Sequence, residues 1–287
     1  MKKKIINLCE AGLAYIFYGI FRLLPVRVGS SMGYSLGKAL IPIFIKKRAV
    51  VAVANIQLAF PEKSLAEARE IFAKSCGYFA ASVFEIPRIT DLESRITFVD
   101  EHNTFETMKN STSLVFSAHY GCWEIFSSRF VSIADSSYSI YKSPKNPYLA
   151  KFFAKIRDND AGMKMITLNK QRLVSLNNEI KNKNININML VDQKVKEGIA
   201  VDFFGRPALT STFLPLFALK HNLPLIPVRV VRRKDFKFDI ILEKPINIEK
   251  TGDKEKDIES LTQLMNKKIE EWVRDDPSQW FWLHKRW

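Results

Sequence analysis

The sequence predicts an α/β fold in which a mostly parallel central sheet is flanked by helices, preceded by an N-terminal helical segment that anchors to a membrane. Three observations carry this. Beyond residue 110 the short apolar runs "SLVFSA", "SIYK", "INMLVD" and "PLIPVRVV" alternate with helix-like stretches near 122–133, 147–157, 170–181 and 211–221. Buried parallel strands read as short continuous apolar runs, and alternation with helices is the pattern of crossover connections. The second observation is an apolar first segment, and the third is a helical rhythm from about 45 to 110.

The first segment, "MKKKIINLCEAGLAYIFYGIFRLLP", sets three lysines before a stretch of roughly 20 mostly apolar residues, long enough to cross a bilayer. Asn7, Glu10 and Arg22 interrupt it, and no small-x-small cleavage site follows Leu24, so it does not resemble a cleaved signal peptide. Spanning would leave the lysines in the cytoplasm and export the rest of the chain. Cys9, Cys76 and Cys122 are odd in number and show no metal-type spacing, which favours a reducing compartment. The segment is therefore expected to embed in or lie on the cytoplasmic leaflet, with a buried helix of a soluble domain as the alternative. The expected division is a membrane-associated helical segment over 1–45 and a single α/β domain over 46–287.

In "GSSMGYSLG" Ser31 matches the G-x-S-x-G pattern of a nucleophile elbow, but that motif needs a strand before it. "PVRV" precedes it instead, and Gly29, Gly33 and Gly37 recur every four residues, which suits close helix packing. "KSLAEAREIFAKSCGYFAASVFEI" spaces its apolar residues by three and four, with Ser64 and Glu67 placed for a capping box.

The 44 basic against 30 acidic residues, a net charge of +14, imply an acidic partner. No helix-turn-helix, zinc-finger or RNP-like motif is present, and the aromatics sit in apolar segments, so nucleic acid is not the expected partner. An anionic membrane surface, a phosphorylated ligand or an acidic protein fits instead.

The chemistry concentrates in "SLVFSAHYGCWEIF", residues 113–126. His119 follows an apolar run and falls at a strand's carboxyl end, where α/β sheets bind ligands. It stands five positions before Glu124, about 140° around a continuous helix, so the two meet only if the helix begins after Gly121. Glu124 would then lie in the first turn, ionised, and accept a hydrogen bond from one imidazole nitrogen while the other acts as a base. A structural histidine remains the alternative. Cys122 could be a thiol nucleophile activated by His119, or one more buried cysteine. Asp192 at the end of "INMLVD" belongs at the same level as His119 and would orient it or a basic residue; Gln193 would brace the loop or the site.

These residues fall in blocks that resemble a known family. "AHYGCWE" resembles the H-x4-D/E block of the glycerolipid and lysophospholipid acyltransferases, and in its aromatic-Glu form it is similar to the bacterial lipid A biosynthesis acyltransferases. "YKSPKNPYLAKFFAKIR" is similar to the second block, with Lys142, Asn146 and Arg157; "MLVDQKVKEGIAVDFFGRPALTST" to the third, with Asp192, Gln193 and Arg206. "LPLIPVRVVRR" and "DPSQWFWLHKRW" resemble the fourth and the closing block. Ala118, Cys122 and Lys142 depart from the usual residues at their places.

The resemblance implies a glycerolipid acyltransferase-like fold. It also implies transfer of a fatty acyl chain from acyl carrier protein to a hydroxyl of a lipid A precursor, at the cytoplasmic face of the inner membrane. His119 would be the general base and Glu124 its orienting partner. Amides around Gly121 would stabilise the oxyanion, and Arg157 and Arg206 would hold phosphate or else form surface salt bridges. No metal or cofactor is implied, since the acyl carrier protein thioester is a substrate. A phospholipid or glycolipid acyltransferase using acyl-CoA, or a thioesterase with Cys122 as nucleophile, are the alternatives. Within the third block Phe203 and Phe204 read as core and "FFGRPALTSTF" as a turn at Gly205 leading to a helix near Thr210, and in the closing block His284 reads as structural.

Overall fold

The computed structural model describes residues 2–129, 136–161, 164–248 and 250–287, with side chains at all of these except 2, 127–129 and 157–161. Four helices come first: α1 (Lys2–Leu23), α2 (Val26–Phe44), α3 (Lys46–Ala59) and α4 (Leu65–Glu85). The expected capping box starts α4: Ser64 Oγ accepts from the Glu67 amide while the Glu67 carboxylate accepts from the Ser64 amide at 2.8 Å. Gly33 and Gly37 seat α2 on α4. A Cβ at Gly37 would stand 2.4 Å from the Ala80 Cβ, and one at Gly33 2.9 Å from the Ala81 Cα, so any larger residue would separate the helices. Ser31 lies exposed on α2 with no strand before it, and the nucleophile elbow is not formed.

A 3-10 stretch, Ile86–Arg95, leads into β1 (Ile96–Val99) and α5 (Thr104–Asn110), then β2 (Ser113–Ser117), α6 (Trp123–Arg129), β3 (Ser136–Ile140), α7 (Pro147–Ala161), β4 (Lys164–Ile166), α8 (Lys170–Glu179) and β5 (Ile185–Leu190). A hairpin of β6 (Ile199–Phe203) and β7 (Arg206–Thr210) follows, then α9 (Phe213–His221), β8 (Leu225–Arg232), β9 (Phe238–Leu242) and α10 (Lys254–Asp275).

Seven strands form one sheet in the order β1-β9-β8-β2-β5-β3-β4. Every neighbouring pair is parallel except β8 with β9. The expected fold class, a mostly parallel sheet flanked by helices behind an apolar N-terminal helix, is the one observed. Side chains alternate across the sheet. Leu114 and Phe116 of β2 join the core with Phe72, Ile269 and Trp272, while Val115 joins Ile226, Val228 and Ile125 on the other face.

Three details differ from the sequence reading. The helical rhythm assigned up to residue 110 is interrupted by β1, a four-residue edge strand whose two central side chains are exposed, too short to impose its own period. The strand placed at "SIYK" begins three residues earlier, so Tyr141 and Lys142 lie beyond its carboxyl end. The turn at Gly205 is present, with Phe204 and Gly205 both at positive φ, as the two-residue loop of the β6–β7 hairpin requires; the helix after it starts at Phe213.

Candidate active site

The register of two adjacent parallel strands builds the site. Ser117 at the end of β2 pairs with Leu190 at the end of β5, and His119 and Asp192 each lie two residues further on. The two side chains thus leave the sheet at one level. His119 Nδ1 lies 2.8 Å from Asp192 Oδ1, the His119 amide donates to Asp192 Oδ2 at 2.9 Å, and Trp280 Nε1 donates to the same oxygen at 2.8 Å.

Asp192 is fully buried. Burial opposes its ionisation, but the adjacent His119 imidazole, the hydrogen bonds from its ring and amide, and nearby His284 outweigh that and hold the carboxyl well below the usual range. An ionised Asp192 only accepts, so the proton between the two groups belongs to His119 Nδ1 and leaves Nε2 as the acceptor nitrogen. Gln193 Nε2 lies 3.2 Å from that nitrogen, as an amide donor would.

Beside the imidazole lies a cavity of about 290 Å³. His119, Glu124, Tyr141, Lys142 and Gln193 form its polar wall, and Trp123, Ile140, Phe153, Met165 and Leu190 its apolar one. Polar groups converging beside an apolar slot suit a ligand with a reacting head and a hydrocarbon tail.

Glu124 stands in the first turn of α6, so the helix does begin after Gly121 as expected. The expected pairing of Glu124 with the imidazole is corrected, however: Nδ1 is bonded by Asp192, the adjacent strand end having brought a carboxylate there first. The Gly121 amide is corrected too, since it donates to the Gln279 carbonyl at 3.0 Å and has no hydrogen left for an oxyanion. Gly121 shapes the turn instead. Its φ is +60°, and a Cβ there would lie 1.9 Å from the Val230 carbonyl oxygen. Gly121→Ala should therefore lower stability by about 3 kcal/mol or more, a clear fall in melting temperature.

Under this turn lies a buried ion pair. Arg232 donates from both terminal nitrogens to Glu85 at 2.7 Å and from Nη2 to Ser82 Oγ at 3.0 Å. Cys122 faces this pair and not the cavity, its Sγ 3.4 Å from Glu85 Oε2. Burial, then the Glu85 charge, raises its thiol well above the ordinary value, which is the wrong direction for a nucleophile.

The other expected site residues separate. Lys142 lines the cavity. Asn146 does not: its Oδ1 accepts from the Tyr148 amide at the start of α7, and its Nδ2 donates to the Asn7 carbonyl and to Glu10, so its polar atoms are spent fixing α1 to α7. Arg206 is exposed beside the hairpin turn and is not among the cavity residues. The side chain of Arg157 lies outside the described residues. Phe203 and Phe204 are buried, as expected of core.

His284 and Trp280, from the closing block, join the site, where a structural role was expected of His284. The His284 ring lies 4.5 Å from that of His119, centroid to centroid, and its buried Nε2 has no hydrogen-bond partner among the described residues. The donor atoms of His119, Asp192 and His284 fall within 4.8 Å of one another and could converge on a metal ion. As placed, Asp192 already accepts three N–H bonds, the arrangement of a hydrogen-bonded pair.

Burial, then the charges of His119 and Arg286, pushes His284 down to about 4 against the pull of Asp192. A depressed histidine is neutral in the fold while the unfolded chain takes up a proton. Stability should therefore fall from pH 6.5 towards pH 4 and level off below, by roughly 3 kcal/mol at most from this group. Denaturant titrations across that window, with and without His284→Phe, measure it.

Among models of protein families, that of the bacterial lipid A biosynthesis acyltransferases matches residues 4–287. A comparison with curated proteins gave no match.

Proposed function

Because this chain belongs to the bacterial lipid A biosynthesis acyltransferase family, and so is an O-acyltransferase linked to a membrane, we propose that it moves a fatty acyl chain from an acyl carrier protein thioester to a hydroxyl of a lipid A precursor. The observation that carries the chemistry is the His119–Asp192 pair at 2.8 Å beside a half-apolar cavity. An alcohol is a weak nucleophile at neutral pH, and a fixed base that removes its proton as it attacks lowers the barrier.

In this reading the acceptor hydroxyl takes the place of the Gln193 amide at His119 Nε2. Its oxygen attacks the thioester carbonyl as its proton passes to Nε2, and Asp192 stabilises the imidazolium. The tetrahedral intermediate then expels the thiolate, which takes the proton back from Nε2; the products are an ester and a thiol. Gln193 and Lys142, two of the side-chain donors lining the cavity, would meet the oxyanion. Glu124, on the same cavity wall, is assigned to neighbouring hydroxyls of the acceptor. The net charge of +14 suits both an acidic carrier protein and the anionic cytoplasmic face of the inner membrane.

The test supplies purified protein with a tetra-acylated lipid A precursor and equal amounts of acyl carrier protein and CoA thioesters carrying isotopically distinct chains. Mass spectra should show the precursor extended by one acyl chain, mostly the carrier-protein label. The CoA label alone would overturn the donor assignment. Free fatty acid with unchanged lipid would make the protein a thioesterase.

A further inference from the structure

α1 is laid along the domain. Near its start Asn7 and Glu10 bond Asn146, in its middle the Tyr15 ring lies 4.7 Å from that of Phe152, and near its end the Phe21 ring lies 4.2 Å from that of Phe84. Its opposite side carries Leu13, Ile16, Ile20 and Leu23, each more than half exposed.

The same division continues in α2 after only two connecting residues. Gly29, Gly33 and Gly37 are buried against α4. The adjacent row, one residue back and about 100° around the helix, is Val28, Met32, Leu36, Leu40 and Phe44, exposed by 43, 41, 44, 42 and 80%. The next exposed row is Arg27, Ser31, Ser35, Ala39 and Ile43. From Val28 to Phe44 the only charged residue is Lys38, and it is held by Glu70 at 2.7 Å. An exposed helix face of a soluble domain normally carries charge. This one carries none for four turns, and exposed Lys46, Lys47 and Arg48 follow at its end.

We infer that the Val28–Met32–Leu36–Leu40–Phe44 row of α2 is a second membrane-docking surface, continuous with the outward row of α1, that seats the protein in the plane of a leaflet containing anionic lipid. The inference rests on the membrane-lipid reading above and extends it to a helix that is too closely packed on α4 to cross a bilayer. A leaflet suits the face better than a second copy of the chain. The apolar row begins two connecting residues after a helix whose outward side is also apolar, with exposed Arg27 between them, and the cations at its end meet phosphates in a bilayer but like charges in a symmetric pair.

Full-length Leu36→Glu/Leu40→Glu protein, with Leu36→Ser/Leu40→Ser as a milder pair, tests it. Partition onto vesicles of phosphatidylethanolamine and phosphatidylglycerol is read by sedimentation, fold by circular dichroism, and acyl transfer on detergent-dispersed acceptor separately. The glutamate pair should lose about tenfold or more in partition and the serine pair a smaller amount, with helical content retained. Activity in detergent should stay within about twofold, since both positions are remote from the cavity. Unchanged partition of folded variants overturns the inference, as does unchanged partition with a wild-type dimer dissociated by the variants. If detergent activity is missing from wild type too, the enzymatic reading fails while the partition still decides the docking surface.

Discussion

Replacing His119 by alanine should lower kcat for acyl transfer by about 10² to 10⁴, the usual contribution of a positioned general base, with KM little changed. The protein should still fold. Two of the bonds at this position use the backbone, from the His119 amide to Asp192 and from the Phe281 amide to the His119 carbonyl, and alanine keeps both. Asp192 would also retain Trp280. The loss is then one hydrogen bond to a buried carboxylate, about 1–3 kcal/mol of stability. Initial rates beside thermal melts separate the two effects. A variant that melts like wild type yet keeps most of its rate would remove His119 from the reaction. Glu124→Gln, acting on the acceptor and not on the base, should raise KM more than it lowers kcat.

Asp192→Asn should do nearly as much damage by a different route. Three N–H groups converge on the carboxylate, from the His119 ring, the His119 backbone and Trp280. An asparagine offers one oxygen and one NH₂ in their place, so at least one donor must face another donor. The imidazole relieves this by moving its proton from Nδ1 to Nε2, where it abolishes the base. A fall in kcat of about 10² to 10⁴ is expected, together with a loss of about 3 kcal/mol from the broken buried network. Near-wild-type turnover would show that the tautomer does not matter.

The sequence made His119, Glu124 and the turn between them legible because they are close along the chain, where strand, glycine and helix follow one another in ten residues. The partner of the imidazole was harder to read. Asp192 stood out at the end of an apolar run, but its pairing depends on β2 and β5 being neighbours in register, and 73 positions separate the two residues. His284 and Trp280 reach the site through a tail whose aromatic and basic mixture reads equally as packing or membrane interface. Asn146 and the Gly121 amide failed as site groups for one reason: each had already spent its hydrogen bonds within the fold, on α1 and on Gln279. Among the strands, β2, β3, β5 and β8 announced themselves as apolar runs and the interior strand β9 did not, whereas β1 and β4, at four and three residues, are too short to carry a period of their own.

In the proposed reaction Asp192 keeps the proton of neutral His119 on Nδ1 and leaves Nε2 open to the acceptor. Nitrogen-15 spectra of the histidine side chains near pH 8, with His119 assigned by its absence in the alanine variant, read this directly. The expected spectrum shows a protonated Nδ1 and a bare Nε2 in the wild-type protein, and the reverse in Asp192→Asn. A wild-type His119 protonated on Nε2 alone would contradict it.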